Sequence, residues 1–138
     1  MRLLPTLVLV GLALVSPARA ADLTVTVLGA AESGLVRGML FRDAASFERK
    51  EDPVARFALP PQGGRVVVRR PALAPGRYAL ALAQDRNGND RLDKTMIGLP
   101  TEPYGFSNDA SAPFGPPDFD QAAFVVGGES HAITLHLR

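Results

Sequence analysis

The 138-residue sequence contains no cysteine. Its absence excludes disulfide bonds and thiol nucleophiles, and it excludes the lipid anchor that bacterial lipoproteins carry on a cysteine at the cleavage site. Beyond the first fifteen residues or so, the chain also lacks a second long apolar segment of the kind that a spanning helix requires. We therefore expect a protein that does not insert into a membrane.

A strong charge of either sign is missing as well. The formal net charge is +1, and removal of Arg2 and Arg19 with the N-terminal segment would change it from +1 to −1. Nothing in this balance indicates attraction to nucleic acid or to anionic lipid.

The N-terminal segment has the composition of a processing signal. A short positive start at Arg2 precedes an apolar run over residues 3–15, and Ala18-Arg19-Ala20 is a small-x-small cleavage site. We expect residues 1–20 to be a signal peptide that is cleaved after Ala20, and residues 21–138 to form a single domain that is periplasmic or secreted.

The expected domain is composed of short strand-length segments. Residues 23–27 alternate apolar and polar side chains, which is the period of a half-buried strand. Six further runs follow, separated by glycine and proline turns: 35–41, 56–59, 65–69, 77–84, 122–126 and 131–137. The pattern predicts an all-β, antiparallel β-sandwich of about seven strands, in which the last two runs pair as a hairpin across Gly127-Gly128-Glu129.

Two segments depart from this rhythm. Residues 43–52 have helical character, with Ser46 bonding into the first turn and Pro53 preventing a longer helix. Residues from 85 to about 120 form a connection that is unusually long for a compact domain. Because this connection is rich in proline and aromatic residues, we expect an ordered flap rather than a flexible linker.

The start of the flap is the clearest candidate for a metal site. Oxygen-bearing side chains recur at Asp85, Asn87, Asn89 and Asp93, which is the spacing of positions 1, 3, 5 and 9 of an EF-hand loop. The backbone carbonyl of Arg91 would supply position 7. The sequence therefore predicts a candidate calcium site and no other cofactor.

Two departures from the EF-hand pattern make a metal-free turn the alternative prediction for this loop. Asp90 stands where the loop glycine is expected, and Met96 stands where the bidentate acid is expected. Asn87-Gly88 is a strong type I′ turn signal, and Arg86 and Arg91 lie close enough in sequence to neutralise the carboxylates without a cation.

The aromatic residues of the flap are the candidate binding surface. They are Tyr104, Phe106, Phe114 and Phe119. One interpretation is a face for a protein or carbohydrate ligand, and the other is a satellite core that caps the open end of the sandwich. Residues 107–109 (Ser-Asn-Asp) would serve as turn and hydrogen-bonding residues.

Other polar residues are assigned structural roles. His131 and His136, five apart in one strand, point to opposite faces and cannot form one metal site. Residues Arg65, Arg69, Arg70 and Arg77 form a basic stripe on two strands expected to be neighbours, and most of it would be a solvated outer face.

The sequence contains little that indicates catalysis. No nucleophile elbow, zinc-protease motif, phosphate loop or dinucleotide fingerprint occurs. Two pairs of acids, Asp93 with Glu102 and Asp118 with Asp120, have the residue types of a glycoside hydrolase. The sequence does not indicate that either pair faces a cleft.

Several ordered motifs resemble those of one bacterial family. They are Pro-Gly-Arg-Tyr at 75–78, Asp-x-Asn-Gly-Asn-x-x-Leu-Asp at 85–93, Ile-Gly-Leu-Pro at 97–100, Tyr-Gly-Phe-Ser-Asn at 104–108, Phe-Gly-Pro-Pro at 114–117 and Ala-Ala-Phe at 122–124. With them the chain resembles the bacterial domain of unknown function 2141. The resemblance implies a small exported sandwich, similar to transthyretin-like and immunoglobulin-like modules, with no established reaction. Family loops usually have glycine in place of Asp90.

The combined expectation is an exported, non-enzymatic β-sandwich module of unknown ligand and partner, stabilised by calcium or by hydrogen bonds at residues 85–93. One alternative is a hydrolase that uses acidic residues of the flap. Another is a carrier that holds a small apolar ligand between its sheets, against Leu80, Leu82, Phe124 and Leu135.

Overall fold

A computed structural model describes residues 19–89 and 101–138 of the chain. Residues 90–100, which include Arg91 and Asp93, and the first eighteen residues lie outside this description. The described elements are β1 (Ala21–Leu28), β2 (Leu35–Phe41), α1 (Ala44–Arg49), β3 (Ala55–Leu59), β4 (Arg65–Leu73), β5 (Gly76–Asp85), β6 (Tyr104–Phe106), a 3₁₀ turn (Ser107–Asp109), α2 (Phe119–Ala122), β7 (Phe124–Val126) and β8 (His131–His136).

The eight strands form two sheets. The first has the order β4-β1-β8, and the second has the order β3-β2-β5-β6, with β7 paired to the beginning of β5. Alternate residues of β1, namely Ala21, Leu23, Val25 and Val27, are buried between the sheets. The predicted all-β sandwich is therefore confirmed, because the period-2 patterns place one face of each sheet in a shared core.

The prediction that the last two strands pair as a hairpin is wrong. β7 pairs with residues 76–78 of β5 in the second sheet, whereas β8 crosses to the first sheet and runs parallel to β1. The glycines between them therefore connect two sheets rather than two neighbouring strands. Alternation along a strand specifies which face is buried, but it does not specify which strand lies beside it.

The expected basic stripe is also divided between the two sheets. Arg65 and Arg69 share the exposed face of β4 with Val67, as predicted. Arg77 lies on β5 in the other sheet, where its guanidinium donates to the Asp120 carboxylate at 2.9 Å.

Two short helices cover part of the outer face of the second sheet. The predicted helix is present as α1, and its N-cap is Asp43, whose carboxylate accepts the Ser46 backbone N–H at 2.8 Å. The Ser46 hydroxyl donates to the same carboxylate, which lowers the pKa of Asp43 below 3.8 through these two hydrogen bonds. Both helices pack aromatic side chains onto the sheet, which gives the domain a second apolar cluster outside the main core.

No helix within residues 19–89 and 101–138 combines the length and the apolar character that a bilayer crossing demands.

Candidate functional site: a cleft on the outer face of the second sheet

The uncovered part of that outer face is an open cleft of about 650 Å³. Four strands form its floor and its sides, and Lys50, just after α1, closes one end. The side chains that define it are Arg37, Met39, Lys50, Arg56, Ala58, Ala81, Ala83, Asp85, Tyr104 and Phe106. Its volume falls in the range of small-molecule sites in proteins.

The depression follows from residue size and strand register. Ala81 of β5 lies between Met39 of β2 and Phe106 of β6. One row along, Ala83 lies between Arg37 and Tyr104. Because a methyl group stands between two long side chains in each row, the centre of the sheet face is low and its sides are high.

Lys50 stands at the α1 end of the cleft, against an aromatic cluster. Its ammonium nitrogen lies 3.9 Å from the ring centroid of Phe47 and 5.7 Å from that of Phe106. The ammonium also donates to the backbone carbonyl of Phe47. Burial lowers the pKa of Lys50 below 10.5, while the nearby Glu48 carboxylate acts in the opposite direction. The cluster therefore holds a partly desolvated cation at the edge of the cleft.

Asp85 and Arg37 form the opposite end. The Asp85 side chain is 3% exposed, and its Oδ2 lies 3.2 Å from Nε of Arg37. Its Oδ1 accepts the backbone N–H groups of Gly88 at 2.9 Å and Asn89 at 3.2 Å. One carboxylate thus closes the turn after β5 and fixes an arginine over the sheet.

Three of the four side chains proposed as calcium ligands are described, and they lie in this turn. Asp85 points to the cleft face, Asn87 Oδ1 accepts the Asn89 backbone N–H at 3.2 Å, and Asn89 is half-buried. Asp93 and the carbonyl of Arg91 lie outside the described residues. Within residues 19–89 and 101–138, no three His, Asp or Glu side chains converge in a way that would hold a metal ion.

The four flap aromatics do not form one surface. Phe106 and Phe119 are buried in the second apolar cluster, each about 6.0 Å from the Phe47 ring centroid. Tyr104 is half-buried and borders the cleft. Phe114 is fully exposed, and among the described aromatic rings none contacts it. Burial of two of them agrees with the satellite-core interpretation, but the cluster lies on a sheet face rather than at the end of the sandwich.

Residues 107–109 have the hydrogen-bonding role that was predicted. The buried Ser107 hydroxyl accepts the Leu80 N–H at 2.9 Å and donates to the Ala122 carbonyl. Asn108 donates to the carbonyls of Gln121 and Ala123. The turn therefore attaches α2 to the second sheet.

Asp109 connects the same turn to the last strand. Its carboxylate accepts the His136 backbone N–H at 2.7 Å and contacts Nδ1 of the imidazole at 2.9 Å. Burial raises the pKa of Asp109, but these two contacts and the positive charge of Arg138 outweigh it and hold the pKa below 3.8. His131 faces the other side of β8 and stacks on Phe124 with ring centroids 5.7 Å apart.

Three of the four acids proposed for hydrolysis make contacts away from the cleft, and the fourth, Asp93, lies outside the described residues. The buried Glu102 accepts the Arg86 backbone N–H at 3.0 Å, Asp118 caps α2, and Asp120 binds Arg77. Among the described residues that line the cleft, Asp85 is the one acid. The residues proposed to line an internal ligand cavity, Leu80, Leu82, Phe124 and Leu135, belong to the core between the sheets.

Sequence reasoning missed the cleft as a site, including the roles of Arg37, Met39, Lys50 and Arg56. One local signal was present. In Ala79-Leu80-Ala81-Leu82-Ala83 the large residues face the core and the small ones face outward. Three successive small residues on the outer face of one strand indicate either that another element packs over them or that the sheet surface has a depression there.

These features define an all-β sandwich with a mixed apolar and cationic cleft on the outer face of one sheet. By comparison with known families, the chain belongs to the family described as an uncharacterized protein conserved in bacteria (DUF2141), which matches residues 25–134. Comparisons with curated proteins and with solved structures found no significant match.

Proposed function

We propose that this protein is an exported, non-enzymatic binding module whose ligand site is the outer-face cleft. The cleft itself is the observation that carries the proposal. It combines a floor of alanine methyl groups with a side of aromatic rings and with charged groups at both ends, which is the composition of a small-molecule site.

The hydrogen bonds and ion pairs of the described acids support ligand binding over hydrolysis. A general acid or base needs a carboxyl group that can reach a substrate proton. In the described part of the chain, the one acid of the cleft receives two backbone amides and a guanidinium. Export is supported by the signal-like composition of residues 1–20 and by the buried start of β1 at Ala21, the first residue after the expected cleavage.

The test is a fragment screen followed by nuclear magnetic resonance on isotope-labelled protein. Bound fragments should shift backbone amide signals of β2, β5 and β6 around the cleft. Ala83→Leu should abolish these shifts, because the added side chain fills the floor. Ala132→Leu, on the exposed outer face of the other sheet, is the matched control. Fragments that still bind after the Ala83 change, or that shift only distant residues, would place the ligand site elsewhere.

Calcium binding by the loop at residues 85–93 is a second proposal, supported by the oxygen spacing of Asp85, Asn87, Asn89 and Asp93. A cation would compete at Asp85 with the two loop amides and with Arg37. Thermal unfolding with chelator and then with calcium or magnesium tests it, since a ligand at 100 times its dissociation constant adds about 2.7 kcal/mol to stability.

The control for the calcium experiment is Asp120→Asn, an acid outside the loop. A rise of the midpoint that is selective for calcium and lost in Asp93→Asn, but kept in the control, supports the metal site. A midpoint that does not respond to either metal assigns the loop to the self-bonded turn.

A further inference from the structure

The cleft has a charge asymmetry that bears on its ligand. The acid of the cleft, Asp85, forms an ion pair with Arg37 and accepts hydrogen bonds from the loop amides. The opposite charges of Asp85 and Arg37 therefore compensate each other at this end of the cleft. The other two cations that line it, Lys50 and Arg56, form no salt bridge with any residue in the described ranges. The cleft is therefore electropositive at its α1 and β3 side.

Both of these cations are fixed by neutral contacts that leave donors available. Nη1 of Arg56 lies 3.3 Å from Sδ of Met39, directly across the β2–β3 pair. A thioether is a weak acceptor, and a guanidinium has five donors. Lys50 donates to one backbone carbonyl, and its ammonium has three donors. Each side chain thus lines the cleft with N–H groups still able to bind an anion.

The apolar part of the cleft is narrow and has an aromatic side. The methyl groups of Ala81 and Ala83 form a strip one strand wide, bordered by Tyr104 and Phe106. A flat body fits such a strip better than a branched one, because it can lie on the methyl groups while an edge or face meets the rings.

We propose that the cleft binds a small organic anion with a flat apolar body, an aromatic carboxylate being the simplest example. The anionic group meets Lys50 and Arg56, and the body lies over Ala81 and Ala83 beside Tyr104. This inference rests on the proposed function, since it names the chemical class that the same cleft accepts.

The experiment compares three probes that share one body and differ in charge: 2-naphthoate, 2-naphthamide and 2-naphthylmethylammonium. Affinity for the purified protein is measured by calorimetry and by amide shifts at low ionic strength. We expect 2-naphthoate to bind about tenfold or more tightly than the amide, and the ammonium to bind most weakly. Added salt should weaken 2-naphthoate and leave the amide nearly unchanged.

Variants then assign the charge selectivity to its residues. Arg56→Gln and Lys50→Met should each weaken 2-naphthoate about tenfold and leave 2-naphthamide unchanged. Lys50→Arg keeps the charge and should retain the preference for the anion, which guards against a loss caused by misfolding. Arg65→Gln, an exposed arginine on the other sheet, is the matched control and should bind like the unaltered protein.

The outcomes separate this inference from the proposed function. Equal affinity for the three probes, with all binding lost in Ala83→Leu, overturns the anion class and leaves the cleft as a ligand site. A preference for the ammonium overturns it in the same way. Tight binding of 2-naphthoate that survives both Ala83→Leu and Arg56→Gln overturns the placement of the anion in the cleft.

Discussion

The guanidinium of Arg37 lies 3.2 Å from the nearly inaccessible carboxylate of Asp85, on the outer face of the five-stranded sheet. The Arg37 side chain is 38% exposed, so water reaches one partner of the pair but not the other. Since the same carboxylate also receives two amides of the following turn, this contact joins the end of β5 to the neighbouring strand and to the entrance of the flap.

Asp85→Asn should therefore lower the free energy of unfolding. The variant turns an amide N–H₂ toward Arg37 or toward the loop N–H groups, so a donor faces a donor in a buried position. We expect a loss of about 1–3 kcal/mol, measured by urea denaturation with an unchanged m-value. Asp120→Asn removes an exposed pair with Arg77 and should cost less than about 1 kcal/mol. Equal losses in the two variants would contradict a special role for the buried carboxylate.

The contact between Asp109 and His136 should appear in the pH dependence of stability. The pKa of Asp109 in the folded protein lies below 3.8. Its carboxylate therefore contributes fully to folding stability at pH values above its pKa in the unfolded chain. This contribution is lost as the pH falls through its pKa in the folded protein. Asp109→Asn should thus be less stable than the unaltered protein at pH 7, and the difference should shrink below pH 3.8. Denaturation at a series of pH values measures this; a difference that stays constant across the series would assign the effect to packing.

The pKa of Lys50 can be measured directly, because the sequence contains only two lysines, Lys50 and Lys94, whose signals are easily told apart. Reductive methylation with a carbon-13 label gives one signal for each side chain, and Lys50→Met assigns them. Burial predicts that Lys50 titrates below 10.5. An anion bound in the cleft stabilises the charged ammonium and should move this pKa upward, whereas 2-naphthamide should leave it in place. An Lys50 signal that titrates at 10.5 or above would contradict the desolvation described here.

The buried hydroxyl of Ser107 should contribute measurably to stability. Ser107→Ala leaves the Leu80 N–H and the Ala122 carbonyl without this partner in the interior. We expect a loss of about 1–3 kcal/mol in urea denaturation. Ser111→Ala, four residues on and exposed, should change stability by no more than about 0.5 kcal/mol. A comparable loss at both positions would indicate a general intolerance of the turn region rather than a lost hydrogen bond.

Local patterns carried most of the prediction of the fold. The alternation in β1 specified its buried face, and the sequence around Asp43 and Pro53 specified a short capped helix. The turn at Ser107–Asp109 was recognised because its residue types bond to nearby backbone. All three depend on interactions within a few residues, which sequence reasoning can follow.

The failures share a different cause. The strand β8 was expected beside β7 but pairs with β1 in the other sheet. The strands β4 and β5, which carry the basic stripe, were expected to be neighbours but lie in different sheets. Strand pairing is a non-local choice, since several partners satisfy the same period-2 pattern and only the packing of the whole core selects among them.

The amino-acid sequence by itself thus determined an all-β domain, its family, its buried faces and its local turns, because periodicity and turn chemistry act over short distances. Only the tertiary structure decided that Ala81 and Ala83 would lie between Arg37, Met39, Tyr104 and Phe106, with Lys50 brought to the same cleft by α1. These residues come from segments far apart in the chain, and their shared cleft exists only through strand register and the packing of a helix against the sheet.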